Sequence, residues 1–190
     1  MINFMKIFLS LVILGIVGCA SAGSGSLYKD QNMDFGAIRT IAVMPFVNLS
    51  RESVGAERVR DIFVVRLLAT ESVYVLPPGE VARGVAMASI TNPTAPSPEE
   101  VTKLCTIVRA NAVITGVVEE YGELRAGTTA ANVVSVSMQM MESQTGKTVW
   151  AASSTKGGIT LWDRLFGGAG QAMNDTTVKT VDDLIDKLYK

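Results

Sequence analysis

The sequence predicts an α/β domain, with helices packed on one mixed parallel and antiparallel sheet in a single unit. Three observations predict it. Short apolar, β-branched runs alternate with helical stretches between residues 39 and 121. From residue 112 onward, strand-like runs follow one another across short polar turns. The chain then returns to helical spacing at Val181, Leu184, Ile185 and Leu188. Strands joined through crossover helices run parallel and strands joined by tight turns run antiparallel, so the first three strands are expected parallel and the last pairs antiparallel.

The first strand is Arg39 to Val47, a short apolar run that ends near Pro45, which lacks the N–H that a central ladder needs. Between Ser53 and Thr70, Ala56, Val59, Phe63 and Leu67 recur at helical spacing, with Arg58, Arg60 and Asp61 on other faces. Ser72 to Leu76 is a second short strand, closed by Pro77 and Pro78. Residues 79–88 have the length of a short helix, weakened by Gly79 and Gly84. After the loop Thr91 to Pro96, Ser97-Pro98-Glu99-Glu100 combines an N-cap serine, a proline at the first helical position and a glutamate placed to reach back as a capping box. The helix it opens puts Val101, Leu104, Cys105 and Val108 on one stripe, which makes Cys105 a small core residue rather than a reactive thiol.

Ala112 to Tyr121 is the third strand, and Gly122 to Thr129 reads as a polar turn. Asn132 to Glu142 alternates, with Val134, Val136, Met138 and Met140 on one side and Ser135, Ser137 and Gln139 on the other, as in a half-buried antiparallel strand. The two methionines are core filler on this pattern. Ser143 to Gly146 turns the chain into a return strand, Lys147 to Ser154. A terminal helix with Asp182, Asp183 and Asp186 on its polar side completes the order β-α-β-α-α-β-β-β-α.

Composition narrows the chemistry. The 190 residues contain 17 Lys and Arg, 18 Asp and Glu, two Cys and no His. Without histidine the usual general base, the usual zinc ligand and the middle member of Ser-His-Asp and Cys-His systems are missing. A net charge of -1 leaves no electrostatic footprint for nucleic acid. Gly167-Gly168-Ala169-Gly170 lacks the Lys-Ser/Thr of a P-loop and does not fit G-x-G-x-x-G. Glu119, Glu120 and Glu123 cluster near one turn, but adjacent residues at a strand end point to opposite faces and form a solvated rim. Asn48-Leu49-Ser50 caps or turns the chain after the first strand. The sequence nominates no catalytic, metal-ligating or cofactor-binding residue, and no enzyme, nucleic-acid partner or small-molecule substrate is expected.

The mean hydropathy of +0.30 is high for a soluble domain, and the N-terminus carries part of the excess. Ile7 to Val17 is a mostly apolar run; a spanning helix needs about 20 residues, a signal-peptide core only about 7 to 15. The run leads into Ile16-Val17-Gly18-Cys19, which resembles the lipobox of bacterial lipoproteins. The resemblance implies that residues 1–18 are a cleaved signal peptide and that Cys19 carries a diacylglyceryl anchor with palmitate-type acyl chains. Ala20, where Asp would signal inner-membrane retention, implies sorting to the outer membrane, on its periplasmic face. Residues 19–37 then read as the lipidated cysteine and a Gly/Ser-rich tether, and 38–190 as the domain. Over 19 residues at about 3.3 Å each, such a tether reaches roughly 60 Å.

The stretch Ile41-Ala-Val-Met-Pro-Phe-Val-Asn-Leu-Ser50 resembles the opening strand of a group of bacterial envelope proteins: the CsgG curli-secretion lipoproteins, the LpoB activators of peptidoglycan synthases and the N-terminal domain of TolB. Ala110 to Val118, running on to Tyr121, and Gln144-Thr-Gly-Lys-Thr-Val-Trp150 sit where that group places its later strands. Covering about residues 38–188, the resemblance implies an α/β domain of the anticodon-binding, CsgG-like type. The curli channel inserts two hairpins that build a membrane barrel, each needing about 20 residues plus a turn. Gly122 to Ala131 offers ten, and the stretch before the last helix is glycine-rich without alternation, so no pore is implied for this chain alone.

The role expected from these readings is a lipid-anchored, noncatalytic periplasmic adaptor that binds another envelope protein or itself. The alternative is a subunit of an oligomeric CsgG-like secretion or transport complex at the outer membrane. Trp162, Leu165 and Phe166, outside any clear strand, are candidate contacts, or else fold back over the hairpin as core cover.

Overall fold

The computed structural model describes residues 25–126, 129–158 and 171–190. In chain order the strands are β1 (Leu27–Lys29), β2 (Thr40–Val43), β3 (Val47–Asn48), β4 (Tyr74–Val75), β5 (Ala112–Ala126), β6 (Thr129–Glu142) and β7 (Thr148–Gly157). The helices are α1 (Gly55–Leu68), α2 (Pro78–Ala88), α3 (Pro98–Val108) and α4 (Met173–Tyr189). One sheet holds all the strands in the order β1-β7-β6-β5-β2-β4, with β3 also beside β5. The β2, β3, β4 and β5 pairings are parallel, and those of β5 with β6, β6 with β7 and β7 with β1 are antiparallel. The mixed sheet with helices on both faces is the fold class that the sequence predicts.

Proline decides two local details of the parallel half. Pro45 cannot donate to the ladder, so pairing with β5 breaks after Val43↔Ile114 and resumes at Val47↔Val117, with one extra residue on the proline side. Phe46, inside this interruption, packs over Gly116, where a Cβ would stand 3.0 Å from the ring. At the β4 end, Leu76 N–H donates to the Ile41 carbonyl at 2.9 Å, and the next donor in register would be residue 78, a proline that opens α2. The Val43 carbonyl is satisfied instead by Arg60 Nη2 from α1 at 2.9 Å. Burial lowers the Arg60 pKa below its ordinary value, against the opposing charges of Asp61 and Glu57.

Two cores lie on the two faces. Val59, Phe63 and Leu67 of α1 and Val181, Leu184, Ile185 and Leu188 of α4 pack on Ile41, Val43, Ile114, Val134, Val136, Met138, Met140 and Trp150. Val81 and Ala88 of α2 and Val101, Leu104 and Cys105 of α3 cover Ala42, Met44, Val113 and Met141. The α3 capping box is formed: Glu100 N–H donates to Ser97 Oγ at 3.3 Å and Ser97 N–H to Glu100 Oε2 at 2.7 Å. Thr176, Thr177 and Thr180 extend α4 toward its start, each hydroxyl donating to the carbonyl four residues back.

Two segments are more ordered than composition suggests. Leu27–Lys29, assigned to the tether on sequence, pairs with Trp150, Ala151 and Ala152 as an edge strand. Three residues are too few for an alternation to register. The stretch from Gly122, read as a turn, continues the β5–β6 ladder to Ala126↔Thr129. At Glu123, Leu124 and Arg125 β5 is exposed, so its residues show none of the apolar alternation that marks a half-buried strand.

Ion pairs join α4 to its neighbours. Arg66 of α1 grips Asp182 with Nε and Nη2 at 2.6 and 2.8 Å. Asp183 lies 2.6 Å from Lys187 Nζ and 3.2 Å from Lys156 Nζ of β7. Burial alone would raise the Asp183 pKa, but hydrogen bonds from Lys187, Ser154 and Lys156, with the Lys187 charge, outweigh it and hold it at about 2, against an ordinary 3.8. Because the folded value is the lower one, this stabilisation is complete above about pH 4 and is lost as pH falls through about 2, in a partly exposed and therefore screened pair. Urea midpoints measured at pH 5, 3 and 2 are expected to drop less for Asp183→Asn than for the parent chain; equal drops would show that the pair contributes nothing.

Candidate functional site

Helices α2 and α3 cover β2 and, at Val113 and Met141, the near ends of β5 and β6 on the second face, leaving the sheet open among the described residues around Val117, Ser137, Gln139 and β7. Side-chain alternation and register together compose the bare surface: Ser137 opposes Ser153, Gln139 opposes Ala151, and Ala151 opposes Tyr28 of the edge strand. Val117 of β5 continues it, with Thr115 buried at its margin. The partner faces of the same strands, Met138, Val136 and Ala152, are spent on the core. What remains open mixes polar side chains such as Ser137, Gln139 and Ser153 with apolar ones such as Val117 and Ala151. A cleft of about 450 Å³ crosses it, with Thr94 and Ala95 of the loop before α3 on one side and Leu27 and Tyr28 on the other.

Glu119 follows Thr115 and Val117 onto this face by alternation, and the β5 bulge between Val118 and Glu120 shifts the later residues so that Tyr121 joins the opposite core. Its carboxylate accepts from Ser135 Oγ at 2.8 Å and from Ser137 Oγ at 2.6 Å, and the Ser135 and Thr155 hydroxyls lie 2.8 Å apart. Glu120 is exposed, and Glu123 is held by Arg125. All three carboxylates line one cleft of about 390 Å³, with Glu52, Arg51 and Tyr121 beside them. Asn48 acts as a turn residue: its Nδ2 donates to the carbonyls of Glu52 and Ser53 at 2.9 and 3.1 Å, and its Oδ1 accepts from Ser50 Oγ at 2.7 Å.

Cys105 is 3% exposed, and burial, helped by the nearby Glu142 charge, pushes its thiol up to about 12. It is a core residue, as its stripe position predicts. Among the described residues no three His, Cys, Asp or Glu side chains are grouped to hold a metal ion, and no helix is long and apolar enough to cross a membrane. Cys19 and the trio Trp162, Leu165 and Phe166 lie outside the described residues. The open face was only half visible in the sequence. The polar side of β6 is plain from its alternation, but its union with Thr115, Ala151, Ser153 and Tyr28 depends on register across four strands.

Known proteins bear on this fold. A comparison with curated protein sequences finds no match. In structure the chain is similar to PelC from Paraburkholderia phytofirmans, solved as a dodecamer, with a TM-score of 0.59 and 16% identity over 87% of this chain and 98% of that one. It is similar to lipoprotein GNA1162 from Neisseria meningitidis, with a TM-score of 0.54 and 24% identity over 78% of this chain and 98% of that one. The C-terminal domain of LpoB from Salmonella enterica gives a TM-score of 0.50 at 13% identity, over 67% of this chain and 87% of that domain. At these identities the likenesses show the fold. The family model described as "Putative lipoprotein GNA1162-like" matches residues 33–186. The chain belongs to this GNA1162-like family of bacterial lipoproteins.

Proposed function

We propose that this protein is a noncatalytic adaptor of the cell envelope, anchored through lipid on Cys19 to the periplasmic face of the outer membrane, that works by binding another envelope protein. The observation that carries the reading is the open part of the sheet face over β5, β6 and β7, where the Ser135 and Ser137 hydroxyls are held by the Glu119 carboxylate and a cleft of about 450 Å³ is left to seat a partner's surface. Membership of a lipoprotein family and the Gly18-Cys19 junction support the anchor. Trp162, Leu165 and Phe166 are offered as further contacts.

Crosslinking in the native envelope tests it. Ser137→Trp sets a large ring on the open face, and its partner crosslinks are expected to fall by about tenfold or more, as for a disrupted interface centre, while the melting temperature holds. Undiminished crosslinking would remove the face from the proposal. Cys19→Ser is expected to lose acyl labelling, and continued labelling would refute the anchor site.

A second reading, a subunit of an oligomeric secretion or transport complex, is favoured by one observation: PelC, which shares the fold, assembles as a dodecamer. Sizing the lipidated chain in mild detergent separates the two readings. A stable ring of the chain alone favours the oligomer, and a monomer that gains mass only with its crosslinked partner favours the adaptor.

A further inference from the structure

The pairing of β1 shortens the reach of the chain. Ser26 is already fixed to β7, its N–H donating to Ser153 Oγ at 3.0 Å and its carbonyl accepting from Ser153 N–H at 3.0 Å. Only seven steps separate Cys19 from Ser26, and whatever their conformation they span no more than roughly 25 Å, less than half the length of a tether running to residue 37. The chain leaves the domain at a sheet edge. That edge exposes two large side chains in succession, Leu27 at 49% and Tyr28 at 51%, which flank it on opposite faces of the sheet.

We infer that the β1 edge of the domain lies on the lipid surface, with Leu27 and Tyr28 seated at the headgroup boundary. The inference rests on the lipid anchor at Cys19. An aliphatic residue next to a tyrosine suits that boundary, because the ring buries its body and keeps its hydroxyl wet. Two such side chains bind a bilayer weakly when free, but a tether this short holds them at a high effective concentration over it. The opposite edge, β4 with Tyr74, is five strand spacings away, about 24 Å, and faces the periplasm in this orientation. The open face then stands upright beside the membrane, reachable by a partner anchored in the same leaflet.

The test uses the lipidated full chain in phosphatidylethanolamine–phosphatidylglycerol vesicles carrying nitroxide headgroups. A maleimide fluorophore is placed at Gln31→Cys, beside β1, or at Tyr74→Cys. The buried Cys105 stays unlabelled in the folded protein. Each label is read with the native tether, with about 20 Gly/Ser residues inserted between Gly23 and Ser24, and with that insertion plus Leu27→Ser and Tyr28→Ser, two exposed positions that leave the fold intact. Quenching at residue 31 is expected to exceed that at 74 by about threefold with either tether, and the difference is expected to vanish in the double serine variant. Equal quenching with the native tether overturns the inference. So does loss of the difference on lengthening alone, since the tether and not the edge would then hold the domain down. Shielding of residue 31 only after outer-membrane extract is added assigns the edge to a protein and overturns it as well. Mass spectrometry of Cys19 reads the anchor separately: an unacylated Cys19 on a chain that does not float with vesicles marks failure of the anchor, not of the edge.

Discussion

Replacing Trp150 by alanine is expected to lower the unfolding free energy by about 3 to 5 kcal/mol, the cost of deleting a large aromatic from a close-packed core. Trp150 is fully buried in β7 among the residues that join the sheet to α4. Its indole Nε1–H donates to the Lys187 carbonyl at 3.2 Å, in the last turn of that helix, where carbonyls lack intrahelical partners. Alanine removes the packing and leaves that carbonyl to find water. Because a domain of this size holds only about 5 to 15 kcal/mol of stability, the variant is expected to unfold at low urea or to be partly unfolded without it. Urea titration followed by circular dichroism measures the effect. Trp150→Phe, which keeps most of the volume, is expected to lose roughly 1 to 2 kcal/mol. A loss below about 1 kcal/mol for the alanine variant would mean that α4 is not held to the sheet at this point.

Gly84→Val is expected to cost about 2 to 3 kcal/mol, although valine is a better helix former than glycine. At this position of α2 a Cβ would stand 2.3 Å from Val108 Cγ1 and 2.8 Å from Leu104 Cδ1, both on α3. The two helices approach closely because the residue has no side chain, and valine forces them apart over the core they share. Gly79 supplies the control. Nothing lies within 4 Å of a Cβ there, so Gly79→Ala is expected to be neutral or to stabilise by up to about 1 kcal/mol. Thermal melts of both variants decide the matter. If Gly84→Val melts with the parent, α2 and α3 are not in the contact described.

The same glycines show how far local reasoning reaches. On propensity they weaken residues 79–88 as a helix, yet the helix forms, because one of them is the point of contact with its neighbour. Intrinsic preference is a sum over a segment, whereas a close approach between two segments has no signature in either. The ion pairs of α4 behave alike. Asp182 and Asp183 read as a solvated face, but docking of the helix brings Arg66 and Lys156 to them from elements remote in sequence. The first six residues of the β5–β6 ladder, from Ala112↔Glu142 to Val117↔Ser137, follow strands that the alternation predicts; the extension past Gly122 does not, since Glu123, Leu124 and Arg125 are exposed and keep no apolar period.

By itself the sequence determined the fold class, the buried faces of α1, α3 and α4, the capping box at Ser97, the inert place of Cys105 and the absence of histidine chemistry. These are properties of a residue and its near neighbours in the chain, set by periodicity, capping and side-chain type. Only the tertiary structure decided that residues 27–29 close the edge of the sheet, that Arg60 supplies the donor a proline withholds from Val43, and that Tyr28, Val117, Ser137 and Ala151 share one open surface. Each of these joins segments separated by many residues, and strand register, which no single strand carries, is what brings them together.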